Sequence, residues 1–80
     1  MTHEEIIKEL TPIVRKVFND NSLILTDEMS ANTLPAWTSL TFMKLVEKIE
    51  KQFGFKYKMM EILPLKNMGA IVESISSHTV

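Results

Sequence analysis

Residues 34–42, LPAWTSLTF, place a serine between an aromatic residue and the start of an apolar helical pattern. Thr38 is a suitable N-cap for the following helix, because a threonine side chain can accept a hydrogen bond from a free backbone N–H there. Trp37 and Phe42 then have the spacing of a hydrophobic staple, which fixes the angle at which the chain enters a helix. We therefore expect Ser39 to be the first helical residue, with its hydroxyl pointing outward.

An outward hydroxyl at this place would lie beside unpaired N–H groups and the positive end of the helix dipole. Both would stabilise an anion attached to Ser39, above all a phosphate. For so short a motif, a serine that merely assists capping is the more frequent outcome. Local sequence alone therefore leaves two interpretations open: a capping serine and an attachment point.

A hydrolytic role for Ser39 would need a positioned base and an acid to orient it. His3 and His78 are the only histidines, and both lie near chain ends, where we expect fraying. The chain has no cysteine, so a disulfide, a thiolate metal site and a cysteine nucleophile are excluded. We predict that the protein is not an enzyme and that it binds no metal.

The length of 80 residues predicts one small domain, residues 1–80, with a thin core. A net charge of −1 argues against binding to nucleic acid, and Tyr57 between two lysines is a weak stacking platform. The start, MTHEEIIKEL, lacks the pattern of a signal peptide, and no run approaches the ~20 apolar residues of a membrane span. We expect a cytoplasmic protein and a monomer.

Charge is distributed unevenly along the chain. Residues 1–38 hold six acidic against three basic residues, whereas residues 39–66 hold six lysines against three glutamates. The middle of the chain is therefore mildly basic.

The first helix is predicted over residues 3–18, where apolar residues recur at three- and four-residue steps. Thr2 and Glu5 have capping-box spacing. Pro12 should kink or divide this helix, with Thr11 capping the second piece. Polar residues 19–22 end it. A long connection over residues 19–37 follows, anchored by Leu23, Ile24, Leu25, Met29 and Leu34.

The second helix is predicted over residues 39–53 and is stopped by Gly54. Its apolar residues recur at three- and four-residue steps and form a stripe along one face: Leu40, Met43, Val46, Ile49 and Phe53. Phe42 and Leu45 widen this stripe. A short extended piece and a short helix ended by Pro64 come next. Asn67 can cap a last helix that carries Met68, Ile71, Val72 and Ile75. The fold class is therefore all-α: a small four-helix bundle with a long first connection and a short third helix.

The chain resembles the acyl carrier proteins, the family that includes the peptidyl carrier domains, over nearly its whole length. Residues 10–55 are similar to the family's first helix, long loop and second helix, and ILPLKNMGAIVESI is similar to its last helices. The family's attachment signature is Asp-Ser-Leu, often after an apolar residue. Here the matching residues are Trp37, Thr38, Ser39 and Leu40.

This resemblance implies that Ser39 receives 4′-phosphopantetheine from coenzyme A, through a phosphopantetheinyl transferase. The arm ends in a thiol that carries acyl or aminoacyl groups as thioesters, so the protein would be a phosphoprotein. Thr38 and Leu40 would shape the transferase-recognition site. Acyl-loading and acyl-transferring enzymes are the other expected partners, in fatty acid, polyketide, nonribosomal peptide or cell-wall pathways.

The chain departs from the family pattern at two places. Thr38 replaces the usual aspartate, which in the family contributes to recognition by the transferase. This leaves an alternative open: a carrier-like protein-interaction module that is never modified.

The second departure is the face of the second helix, where Thr41, Lys44 and Lys51 stand at positions that are often acidic. We expect its partner-binding residues to be Trp37, Met43, Glu47 and Glu50, and its mixed charge to select different partners from those of a strongly acidic carrier.

Overall fold

The computed structural model describes residues 1–79 and contains four helices: α1 (His3–Val17), α2 (Ser39–Phe53), α3 (Met59–Ile62) and α4 (Met68–His78). No strand occurs among these residues; a lone β-bridge joins Ser30 to Asn67. The prediction of an all-α bundle with a long first connection and a short third helix is confirmed.

Helix α1 begins with the predicted capping box. The Thr2 hydroxyl accepts a hydrogen bond from the Glu5 N–H, and a Glu5 carboxylate oxygen accepts one from the Thr2 N–H at 2.7 Å. The buried face carries Ile6, Leu10 and Val14.

The prediction that Thr11 caps a second helical piece is wrong, because α1 runs through Pro12 as one helix. The Thr11 hydroxyl donates to the Ile7 carbonyl, 2.7 Å away and one turn back, so it adds a bond within the helix. Pro12 is exposed, and a helix can tolerate the missing donor where water reaches the freed carbonyl.

The long connection, residues 18–38, is held by turns and by contacts with the core. Met29 is buried, and Leu23, Leu25 and Leu34 pack against the core at intermediate exposure. Ile24 was expected to anchor this loop, but its side chain is 75% exposed. Its two neighbours already point inward, and an extended chain turns alternate side chains to opposite sides.

The observed bounds of α2 match the predicted ones, and Gly54 ends the helix with a left-handed φ of 74°. The predicted stripe is wrong in its first turns. Leu45, Val46 and Ile49 are buried, whereas Leu40 and Met43 are 68% and 50% exposed. The apolar pattern predicted too wide a buried face, because α2 packs on the side that carries Leu45 and leaves the opposite side exposed to solvent.

The segment after α2 is short and irregular but fixed to the core. Tyr57 and Leu65 are buried, and Ile62 packs against the core between them. The Asn67 side chain caps α4 by accepting from the Ala70 N–H at 2.8 Å. As predicted, α4 buries Met68, Ile71, Val72 and Ile75.

Candidate functional site

The start of α2 is built by two threonines. The Thr38 hydroxyl accepts from the Thr41 N–H at 3.2 Å, and the Thr41 hydroxyl oxygen accepts from the Thr38 N–H at 2.8 Å. Thr41 also donates to the Ala36 carbonyl at 2.7 Å, which ties the approaching loop to the helix. This reciprocal arrangement confirms Thr38 as the N-cap and makes Ser39 the first residue of α2.

A cluster of three aromatic rings fixes the angle at which the chain enters α2. The rings of Trp37 and Phe42 lie nearly parallel, with centroids 6.1 Å apart, and Phe18 at the end of α1 packs on Trp37 at 5.8 Å. Trp37 is only 8% exposed. The predicted staple is therefore present, and Phe18 extends it across the core to α1.

Ser39 is exposed, and its hydroxyl takes part in no hydrogen bond within the described part of the chain. The capping work that a serine could do here is already done by Thr38 and Thr41. The structure therefore disfavours the interpretation of Ser39 as a capping serine and leaves its oxygen accessible at the helix end.

The electrostatics at this end suit an anion. The first turn of α2 contains no acidic residue, so no side-chain carboxylate there opposes the positive end of the helix dipole. Thr38 occupies the Thr41 N–H, while the N–H groups of Ser39 and Leu40 precede the first intrahelical hydrogen bond. A phosphate on Ser39 fits this surrounding.

The predicted partner-binding residues occupy different environments. Met43 and Glu47 are exposed on α2, as a docking face requires. Glu50 is half-buried, and one of its carboxylate oxygens accepts from the Tyr57 N–H at 2.8 Å. Trp37 belongs to the core, and its part in partner contact stays a prediction.

A second polar cluster, which the sequence interpretation missed, joins the segment around α3 to the end of α4. The His78 ring stacks on Phe55, with centroids 4.2 Å apart and planes 2° from parallel, and its Nε2 is hydrogen-bonded to Glu61. Tyr57 meets both rings edge-on, and its hydroxyl lies 2.5 Å from that of Ser74. The expectation that His78 frays is wrong, because these contacts hold the last turn of α4.

Two groups in this cluster have shifted pKa values. Burial raises the pKa of the Tyr57 phenol above its usual value of 10.0, as do the carboxylates of Glu61 and Glu50, while the hydrogen bond with Ser74 opposes them. The pKa of Glu61 is lowered from its usual 4.5, first by the Lys58 N–H and then by the hydrogen bond with His78. These pKa shifts favour a protonated Tyr57 phenol and an ionised Glu61 carboxylate near neutral pH, which suits a structural role for both side chains.

In the part of the chain that the structure describes, both histidines have partners other than Ser39. Neither histidine is hydrogen-bonded to its hydroxyl in the structure of residues 1–79: His3 lies on the surface, 3.9 Å from Asp27, and His78 pairs with Glu61. Within the same residues, no three histidine, aspartate or glutamate side chains come together as they would around a metal ion. None of the helices described combines the length and apolar character that crossing a membrane requires.

The comparison with solved structures identifies the family. The solution NMR structure of holo acyl carrier protein from Geobacter metallireducens matches with a TM-score of 0.82 and 39% sequence identity, over 89% of this chain and 82% of that one. No protein-family model and no curated protein matches the sequence. The chain belongs to the acyl carrier protein family, whose members are non-enzymatic carriers.

Proposed function

We propose that this protein carries acyl groups as thioesters on a 4′-phosphopantetheine arm attached to the Ser39 oxygen. The observation that carries the proposal is the exposed Ser39 hydroxyl, free of capping contacts, at the start of α2. The matching Geobacter protein is a holo acyl carrier protein, which supports the same assignment. The arm would supply a terminal thiol, and the chain would supply no catalytic group.

The residues around Ser39 fit this cofactor in separate ways. The N–H groups of the first turn would stabilise the phosphodiester, and the absence of acidic residues from that turn removes repulsion. Thr38 would hold the helix end in shape, and the exposed Leu40 would meet the phosphopantetheinyl transferase.

The partners that follow are a phosphopantetheinyl transferase and the enzymes that load and receive the acyl group. We propose that they dock on α2 around Met43 and Glu47, with Glu50 and Trp37 at the edges of the contact. Such a carrier would work as a cytoplasmic monomer and a single domain over residues 1–80. Tethering raises the local concentration of the acyl group at each partner's site.

The carrier function leaves the chemical class of the cargo open. Acyl and aminoacyl groups are both compatible with a thioester on such an arm, in fatty acid, polyketide, nonribosomal peptide or cell-wall chemistry. Loading the modified protein separately with acyl and aminoacyl donors, and weighing the products, distinguishes these cargoes.

A second candidate function is an interaction module that is never modified, and Thr38 in place of aspartate is the observation that favours it. It would keep the fold and the exposed face of α2 and lose only the attachment step. Replacement of the acid by threonine is compatible with both functions, because the N-cap is intact in either case.

Incubation with coenzyme A and a broad-specificity transferase, followed by intact mass measurement, separates the two functions. The carrier function predicts the addition of one phosphopantetheine, lost in Ser39→Ala and kept in Ser77→Ala, which removes another exposed serine. Thr38→Asp should speed the addition. Absence of the added mass in both the wild type and Thr38→Asp would favour the unmodified module.

A further inference from the structure

The short helix α3 and its C-cap residue present an apolar outer face. Met59, Met60 and Leu63 are 68%, 77% and 57% exposed, at spacings of one, three and four residues. The spacings of three and four residues place Leu63 beside both methionines, whereas Met59 and Met60, one residue apart, point in different directions. Tyr57, Ile62 and Leu65 face inward and fix the segment to the core, so the three exposed side chains stand on an anchored base.

The charges next to these residues are almost all positive. Lys56, Lys58 and Lys66 flank α3 in the chain and are exposed. Glu61 is the only acidic residue between positions 55 and 67. Its carboxylate is engaged by the Lys58 N–H at 2.8 Å and by His78, so it is half-buried within the cluster described above. The α3 surface, defined by Met59, Met60, Leu63 and these three lysines, is therefore apolar and cationic.

We propose that the α3 surface docks a partner protein that offers an apolar cleft bordered by carboxylates. Exposed methionines suit such a contact, because their flexible thioether side chains adapt to apolar surfaces of different shape. The lysines would steer the encounter and reject partners with basic borders. This inference goes beyond the proposed carrier function and does not require Ser39 to be modified.

The charge pattern favours this occupant over two others. In a two-fold contact between copies of this chain, the same patch would face itself and bring lysines against lysines. An anionic membrane would also attract these lysines, but three are fewer than the clusters of about four to eight that bind such membranes, and the acidic excess over residues 1–38 opposes the approach. A protein cleft that matches the α3 surface in shape and charge contacts these residues alone, so the acidic residues elsewhere in the chain oppose its binding less.

The test uses the unmodified ¹⁵N-labelled protein and a helical probe peptide with leucine on one face and glutamate along its borders. We expect amide shifts concentrated at residues 56–66, with binding that weakens as salt is added. A matched peptide with lysine in place of glutamate should bind at least about tenfold more weakly, a difference of ~1.4 kcal/mol.

Two pairs of variants locate the contact. The double variant Met59→Gln/Met60→Gln should weaken binding about tenfold, whereas Ile24→Gln, which removes an equally exposed apolar side chain elsewhere, should leave it unchanged. Lys66→Glu should weaken binding several-fold, and Lys8→Glu on α1 should not. Circular dichroism of each variant checks that the fold is kept.

Several outcomes would overturn the proposal. The first is that no amide shifts appear at α3 with about 1 mM acidic peptide. The second is that the basic peptide binds as tightly as the acidic one, and the third is that the control variants lose as much affinity as the α3 variants. Stronger binding to phosphatidylglycerol vesicles than to the acidic peptide would assign the surface to membranes, and a dimer broken by Met59→Gln/Met60→Gln would assign it to self-association. Because no step depends on phosphopantetheine, failure here leaves the carrier function to its own mass measurement.

Discussion

The start of α2 and the cluster at α3 are both held by side-chain hydrogen bonds and aromatic packing, but they leave different groups free. At the start of α2, two threonines take up the capping bonds and three packed aromatic rings fix the approach of the chain. The Ser39 hydroxyl therefore has no hydrogen-bond partner among residues 1–79. At α3, Glu61, His78, Tyr57 and Ser74 engage one another, and mainly apolar and cationic side chains remain outside.

This difference separates a position suited to modification from a position suited to docking. A hydroxyl that another enzyme must reach has to be accessible on a rigid base, which the staple and capping box provide. A docking surface needs an anchored backbone. At α3, the contacts of Glu61 provide the anchor and also keep its carboxylate away from the cationic surface.

Trp37→Ala should produce the largest loss of stability, about 3–5 kcal/mol, because it removes a buried ring that joins Phe18 to Phe42. Denaturant unfolding followed by far-ultraviolet circular dichroism measures it without relying on tryptophan fluorescence. Ile24→Ala, at a 75% exposed side chain, should change stability by less than about 0.5 kcal/mol. A loss below about 1 kcal/mol for Trp37→Ala would contradict the staple's role.

His78→Ala should cost about 1–2 kcal/mol, because it removes both the stack on Phe55 and the hydrogen bond to Glu61. The same unfolding measurement applies. His3→Ala is the matched control, because His3 is exposed and has a single long contact, 3.9 Å to the Asp27 carboxylate. Equal effects of the two substitutions would mean that the end of α4 is not held as the structure shows.

The Glu61 contacts should make a smaller contribution that depends on pH. The pKa of Glu61 is lower in the folded protein than its usual 4.5, so ionised Glu61 stabilises the fold above that pH. The contribution is lost as pH falls through the folded value. Thermal unfolding of wild type and Glu61→Gln should therefore show a wild-type advantage near neutral pH that shrinks below pH 4.5. A constant difference across this range would refute the assignment.

Thr38→Asp should have the smallest effect on stability, a gain of a few tenths to about 1 kcal/mol. Aspartate caps about as well as threonine and adds a negative charge at the positive end of the α2 dipole. Thr26→Asp, in the exposed loop, should give no gain. If Thr38→Asp destabilises the protein, the Thr38–Thr41 bonds contribute more than a cap of ordinary strength.

The two regions also differ in how far the sequence predicted them. The N-caps Thr2, Thr38 and Asn67, the staple and the Gly54 stop were predictable, because each depends on residues within a few positions of one another. The cluster at α3 was not, since Glu61 and His78 are 17 residues apart and no local pattern pairs them.

The buried arc of α2 was only partly predictable for a related reason. Apolar spacing shows that α2 is amphipathic, but the choice between Leu45 and the pair Leu40 and Met43 depends on which side meets α1 and the rest of the core. Similarly, Thr11 before Pro12 looked like a cap, and the helix instead continued because α1 packs along its whole length on Ile6, Leu10 and Val14.

We propose that the Ser39 oxygen, exposed at the start of α2, bears phosphopantetheine. Fragmentation mass spectrometry of protein treated with coenzyme A and a broad-specificity transferase tests it most directly, because it assigns the added mass to one residue. We predict that the mass lies on Ser39 alone. Its location on any other serine or threonine, or its complete absence in both wild type and Thr38→Asp, would show that Ser39 is not the attachment point.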